Sequence, residues 1–253
     1  MANVGESTGP AALPLPVTLR VSRRAVFITL WVAVAVVIAL GVAHRWLVAS
    51  GGVADPALAS YLELLNLDGE LTLPAWLESA MMLGAALLMM LCGAAARRHD
   101  RRNALPWFVL AAIFVFLSAD ESMQIHERLS IVVNAFGSFG GILAFSWVVA
   151  MTPIVLVLGL LFLPFLLFLP FLLRLPAPVG RRLVVAGAVF VLGAIGCELV
   201  AGYLVSQGDR GWRYGVEVAA EEGLEMAGLV LAIGAVLDYL GIASADYRVS
   251  FAA

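Results

Sequence analysis

Two short runs concentrate side chains that ligate metals or carry protons. Asp120-Glu121 is followed by His126-Glu127, and Glu221-Glu222 by Glu225. Carboxylates beside an imidazole offer oxygen and nitrogen ligands, a set that suits Zn, Fe or Mn better than Mg or Ca. The same groups can also hold and pass protons. Both runs sit in apolar surroundings. Nine acids in all lie in or against long hydrophobic segments: Glu78, Asp120, Glu121, Glu127, Glu198, Glu217, Glu221, Glu222 and Glu225. An ionised side chain at the centre of a bilayer costs roughly 2.5–3.5 kcal/mol on insertion scales, so intramembrane acids point to a site.

The chain that must position them has 253 residues, of which 62% are hydrophobic and only 13% charged. Its mean hydropathy is +1.00. Soluble domains are about 25% charged. Several apolar runs reach the roughly 20 residues needed to cross a bilayer. They do not alternate as barrel strands do. The expected fold is all-α, a polytopic transmembrane helix bundle in the lipid bilayer. The basic residues are all arginines, and no basic face of the kind that binds nucleic acid is present. Cys92 and Cys197 lie inside apolar runs and read as small buried hydrophobes.

About six spans are expected: Ala25–Val48, Pro74–Ala96, Pro106–Leu129, Gly141–Leu173, Leu183–Val205 and Tyr214–Leu240. Pro74 and Pro106 suit the first turn of a helix. The fourth run is too long for one straight crossing, and its prolines predict kinks. Its repeated hexamer LFLPFL reads as a lipid-facing wall. Residues 1–19 form an expected disordered cytoplasmic tail, 20–240 the six-span domain and 241–253 a cytoplasmic tail. Eleven arginines fall on one side of these spans; only Arg45, Arg128, Arg210 and Arg213 fall on the other. The positive-inside rule therefore places both termini in the cytoplasm, and the arginine-only basic set and alanine richness suggest a bacterium and so an inner membrane. Trp46, Trp76 and Trp212 read as outer belt anchors and Trp107 as an inner one. His99 reads as a solvated loop residue.

Counting along each span at about 1.5 Å per residue brings the acids to one level near the outer face. Glu217, Glu221 and Glu225 make one stripe. Asp120 and Glu127 share a face with Gln124 between them. Nine acids against four arginines imply that several are protonated or that cations are bound. The expected metal set is Asp120, Glu121, His126, Glu198, Glu221, Glu222 and Glu225. Glu78, Glu127, Glu217, Gln124 and His44 are secondary candidates. Glu127 could instead pair with Arg128, Arg210 or Arg213.

The segments Ser118-Ala119-Asp120-Glu121 through His126-Glu127, and Glu221-Glu222 through Glu225-Met226-Ala227-Gly228, resemble a pattern in uncharacterised bacterial polytopic membrane proteins. In shorthand it is S-x-D-E-x4-H-E and E-E-x2-E-M-x-G. The resemblance implies a shared site and no particular activity. Intramembrane CAAX-type proteases carry a Glu-Glu pair followed by arginine, together with two further membrane histidines; here Glu225 and Met226 follow the pair, and His126 is the only convincing candidate histidine. Ceramidase-like hydrolases need three zinc histidines. No nucleotide fingerprint, phosphate loop or serine elbow occurs.

Three functions remain open on the sequence. The first is a metal site, with or without catalysis. The second is a proton- or cation-coupled transporter or channel. The third is a structural or assembly subunit whose acids meet a membrane-protein partner or a second copy.

Overall fold

The computed structural model describes residues 22–99, 101–137, 139–154 and 168–243. Helix α1 (Arg23–Ala49) starts where the Ser22 hydroxyl accepts the Ala25 N–H. A connection holding α2 (Pro56–Leu62) and a 3-10 turn leads to α3 (Leu73–His99). Then come α4 (Arg101–Met123), α5 (Ile125–Asn134), α6 (Trp147–Ile154) and α7 (Leu169–Arg174). Helices α8 (Ala177–Val191) and α9 (Glu198–Ser206) are joined by a π-helical stretch, Leu192–Cys197. The last helix is α10 (Trp212–Ala243).

Among the described residues, five helical stretches are long and apolar enough to cross a membrane: α1, α3, α4, the α8–α9 unit and α10. This is compatible with an integral membrane protein. Their outward faces are apolar, as lipid requires; Ile28, Val32 and Val36 form an exposed stripe on α1. The expected fourth span is described only at its ends, α6 and α7. Its central residues, including Pro164 and most of the LFLPFL repeat, lie outside the described residues. So do both tails.

Several boundaries differ from expectation. Helices α3 and α4 run to His99 and from Arg101, so Arg97, Arg98, Arg101 and Arg102 are helical and His99 is not in a loop. Pro106 therefore lies inside α4, past its first turn, where it removes one backbone hydrogen bond. Trp107 is fully buried between Phe171 and Tyr239, with ring centroids 5.0 and 4.9 Å away. It is a core residue, not a belt anchor. Trp46, Trp76 and Trp212 are exposed, as belt anchors must be.

The core runs down the middle of the bundle through Met82, Met89, Met226, Leu229 and Val230. At the arginine-rich end, Asp238 of α10 pairs with Arg23 of α1, at 3.2 Å, and with Arg182 of α8. At the other end, Arg45 of α1 donates to the carbonyls of Arg210 and Gly211 just before α10. These ties hold α1 antiparallel to α10 along its length.

Near the acidic end, α3 and α4 are pinned by serines. The Ser79 and Ser118 hydroxyls bond each other at 2.9 Å, and the Ser118 hydroxyl also donates to the Ser79 carbonyl at 3.0 Å. The Ser122 hydroxyl joins Ser79 at 2.7 Å. Such bonds substitute for water inside a membrane. They fix the two helices together at the level of Glu78 and Glu121.

Candidate functional site

A cavity of about 730 Å³ opens among α3, α4, α8, α9 and α10. Nine acids line it: Asp68, Glu70, Asp120, Glu121, Glu127, Glu198, Glu221, Glu222 and Glu225. His126 is the one basic residue among the described lining residues. All seven residues of the expected metal set are therefore brought to one cavity.

Close helix approach makes this possible. The π-helical stretch packs against α10 at Gly193. A β-carbon there would stand 2.7 Å from Glu225 Cγ and 3.0 Å from the Glu221 carbonyl oxygen. Only glycine permits that spacing. A π-helical insertion is a recurrent mark of functional sites, and this one ends at Glu198. Glu198 and Glu221 are hydrogen-bonded to each other. The Trp147 indole donates to Glu198 Oε1 at 2.8 Å.

Glu78 is 1% exposed and is hydrogen-bonded to Glu225 from beside the cavity. Two carboxyls so joined share a proton. Three carboxylate oxygens of the cluster are buried with no hydrogen-bond partner: Glu70 Oε2, Glu78 Oε1 and Glu222 Oε2. Glu121 lies within electrostatic reach of Glu70, Glu225, His126 and Asp120, so it joins the two halves of the cluster.

His126 lies just outside the membrane-spanning part of α4. That helix breaks at Gln124, a non-glycine residue in left-handed conformation (φ 56°). Asp120 bridges the break. Its Oδ1 accepts the His126 backbone N–H at 2.8 Å, and its Oδ2 meets Nδ1 at 3.0 Å. The remaining ring nitrogen, Nε2, is 3.7 Å from Glu70. Burial opposes charge on His126. The hydrogen bond and charge of Asp120 outweigh it, and with Glu70 and Glu121 they push the imidazole up to about 9. Burial pushes Glu70 up to about 7, against the lowering effect of His126. The Trp147 ring stands edge-on to His126 at 5.0 Å.

The break at Gln124 has consequences for the expected stripe. Asp120 and Glu127 do not share one continuous helix, although both line the cavity. Gln124 does not line it; its backbone makes the turn. Among the described residues no ion pair joins Glu127 to an arginine. Arg128 donates to the Met123 carbonyl, Arg210 lies over Tyr214 and Arg213 over Trp212. His44 is buried away from the cavity, 3.7 Å from Glu63. Glu217 is buried on α10 with both oxygens unpartnered, also outside the cavity.

Among the described residues, no three His, Cys, Asp or Glu side chains stand ready-placed around a metal position. Cys92 and Cys197 are free thiols.

The model of a family described as a domain of unknown function, DUF8692, matches residues 25–239. The chain belongs to the DUF8692 family. The matched stretch contains every described residue of the cavity. No curated protein and no solved structure matches this DUF8692 chain.

Two acids of the DUF8692 cavity, Asp68 and Glu70, carry no periodic signal because they lie in the connection before α3. Leu67 buries itself against Gly41, Ala201, Tyr214 and Val218 and so draws that connection over the acids. The Tyr214 hydroxyl then donates to Asp68 at 2.8 Å. Trp147 is equally unannounced. The Ser130 hydroxyl holds it in place by accepting its backbone N–H at 3.0 Å.

Proposed function

We propose that this DUF8692 protein binds a divalent transition metal, Zn, Fe or Mn, in its acidic cavity and uses it on a molecule held there. The observation that carries this reading is the convergence of nine acids on one cavity with a single histidine and no arginine among its described lining. So much unpaired carboxylate in a poorly solvated place calls for a cation or for protons.

The donor chemistry fits a metal. His126 is held at Nδ1 by a carboxylate, which leaves Nε2 for ligation, the usual arrangement of a metal-bound histidine. The unpartnered oxygens of Glu70, Glu78 and Glu222 are further donors. Glu121, Glu198, Glu221 and Glu225 complete an oxygen-rich set after side-chain rotation. A metal bound there supplies Lewis acidity to a substrate or to water. Asp120 would hold the imidazole proton at Nδ1 and so keep Nε2 free to ligate.

With six spans, the arginine distribution supports cytoplasmic termini and a site facing the exterior.

The test is a thermal unfolding series in detergent. Chelator-treated protein is mixed with Zn, Fe(II) or Mn. A ligand at a hundred times its Kd stabilises by about 2.7 kcal/mol, so one of these metals should raise the unfolding temperature. The Glu222→Gln variant should respond less. No response to any of the three overturns the reading. One observation favours a second reading, a proton-coupled transporter or channel: carboxyls meet in direct pairs, Glu78 with Glu225 and Glu198 with Glu221.

A further inference from the structure

The acids occupy only one end of the cavity. Below them its walls are apolar. On α4 the lining runs from Glu121 to Leu110, which is roughly 16 Å of helix. On α10 it runs from Glu221 past Gly228 to Ala232, a similar length. Met89, Phe114, Phe171 and Phe190 line the lower part. The space is therefore long, with a carboxylate head and a greasy shaft, and its volume is that of a small-molecule site. The glycines shape it unequally. Gly228 is needed for packing, since a β-carbon there would stand 2.9 Å from the Ala186 carbonyl oxygen. Gly187 also lines the cavity, yet a β-carbon there meets nothing within 4 Å.

We infer that the cavity takes a single-chain amphiphile, its apolar chain in the shaft and a cationic amine at the acids. The shaft disfavours small polar substrates, because nothing among its described lining residues would replace their hydration. The head end disfavours phosphate or carboxylate groups. Nine acids line it against one histidine, and Glu78 adds a buried, unpartnered oxygen beside them. An ammonium group matches that charge and can donate to acids outside the metal donors, such as Asp68 and Glu127. The inference rests on reading the acidic cluster as the functional site, and it names the class of molecule brought there.

The experiment uses the full chain in detergent. The probe is a long-chain alkylamine with a photoreactive diazirine in its chain. A fatty acid with the same chain and diazirine is the control. Labelled positions are mapped by mass spectrometry, with and without excess unlabelled amine. Labelling by the amine is expected at shaft residues such as Phe114 and Phe190, displaced by unlabelled amine, and at least about tenfold stronger than by the fatty acid. Gly187→Phe should fill the shaft and reduce this labelling about tenfold while leaving the metal response unchanged. Equal labelling by both probes, or labelling confined to lipid-facing residues such as Ile28 and Val32, overturns the inference. The competition needs no variant, so it stands even if Gly187→Phe folds poorly. Saturable amine labelling without any metal response would retain this inference and remove the metal reading. A metal response without amine labelling would do the reverse.

Discussion

Asp120 grips His126 twice across a broken helix, once at the backbone N–H and once at Nδ1. One carboxylate thus both caps α5 and sets the imidazole so that Nε2 points toward Glu70. The break that makes this possible is the left-handed Gln124. A helix continuing through that position would carry His126 elsewhere.

The electrostatic sign of this pair can be measured. The folded His126 is raised to about 9 from an unfolded value near 6.5. Its contribution to stability is complete below about pH 6.5 and is lost as pH rises through about 9. Glu70 is raised to about 7, so folding increasingly opposes its ionisation as pH rises from the ordinary carboxyl range. Both act in one direction. The unfolding temperature in detergent should fall between pH 6.5 and 9. Asp120→Asn should flatten the upper part of that fall and lower the stability at neutral pH. An Asp120→Asn curve parallel to wild type would contradict the grip.

Gly193→Ala tests the close approach of the π-helical stretch to α10. The added methyl meets the backbone of Glu221 and Glu225, not only a flexible side-chain end. Overpacking of this kind costs about 1–3 kcal/mol. A loss in that range is expected in reversible unfolding, with a weaker metal response. A fully stable variant would mean that the two elements are farther apart than described.

The serine pin makes a smaller prediction. Ser118→Ala removes one donor and one acceptor, but Ser79 keeps the Ser118 carbonyl and the Ser122 hydroxyl. Interhelical bonds in membranes average about 0.6 kcal/mol and reach about 1.7. The expected loss lies in that interval, and a loss several times larger would assign Ser118 a further role.

Asp238→Ala probes the opposite end. Its partners Arg23 and Arg182 are substantially solvent-exposed, so about 1 kcal/mol or less should be lost. Metal response and amine labelling should stay at wild-type levels. A change in either would show coupling between the two ends.

The sequence made some of this legible and hid the rest for physical reasons. Glu221 and Glu225 share the cavity because i, i+4 spacing survives in an unbroken helix. Counting helical rise brought Glu121 and Glu198 to one level because both sit in long spans. It could not give rotation about the axis, so Trp107 read as a belt residue and is core. Periodicity also ran unchecked through Gln124, since a left-handed glutamine has no sequence mark. Asp68 and Glu70 were missed because a burial contact made by Leu67, distant in sequence from Tyr214 and Val218, decides where their loop lies.

The central claim is that the converged acids hold a metal. Elemental analysis of protein purified without chelators, beside a Glu221→Gln, Glu222→Gln, Glu225→Gln variant, tests it most directly. The account predicts about one or two equivalents of a transition metal in the wild type, lost in the folded variant. No metal in either sample, even after reconstitution with Zn, Fe and Mn, would contradict it.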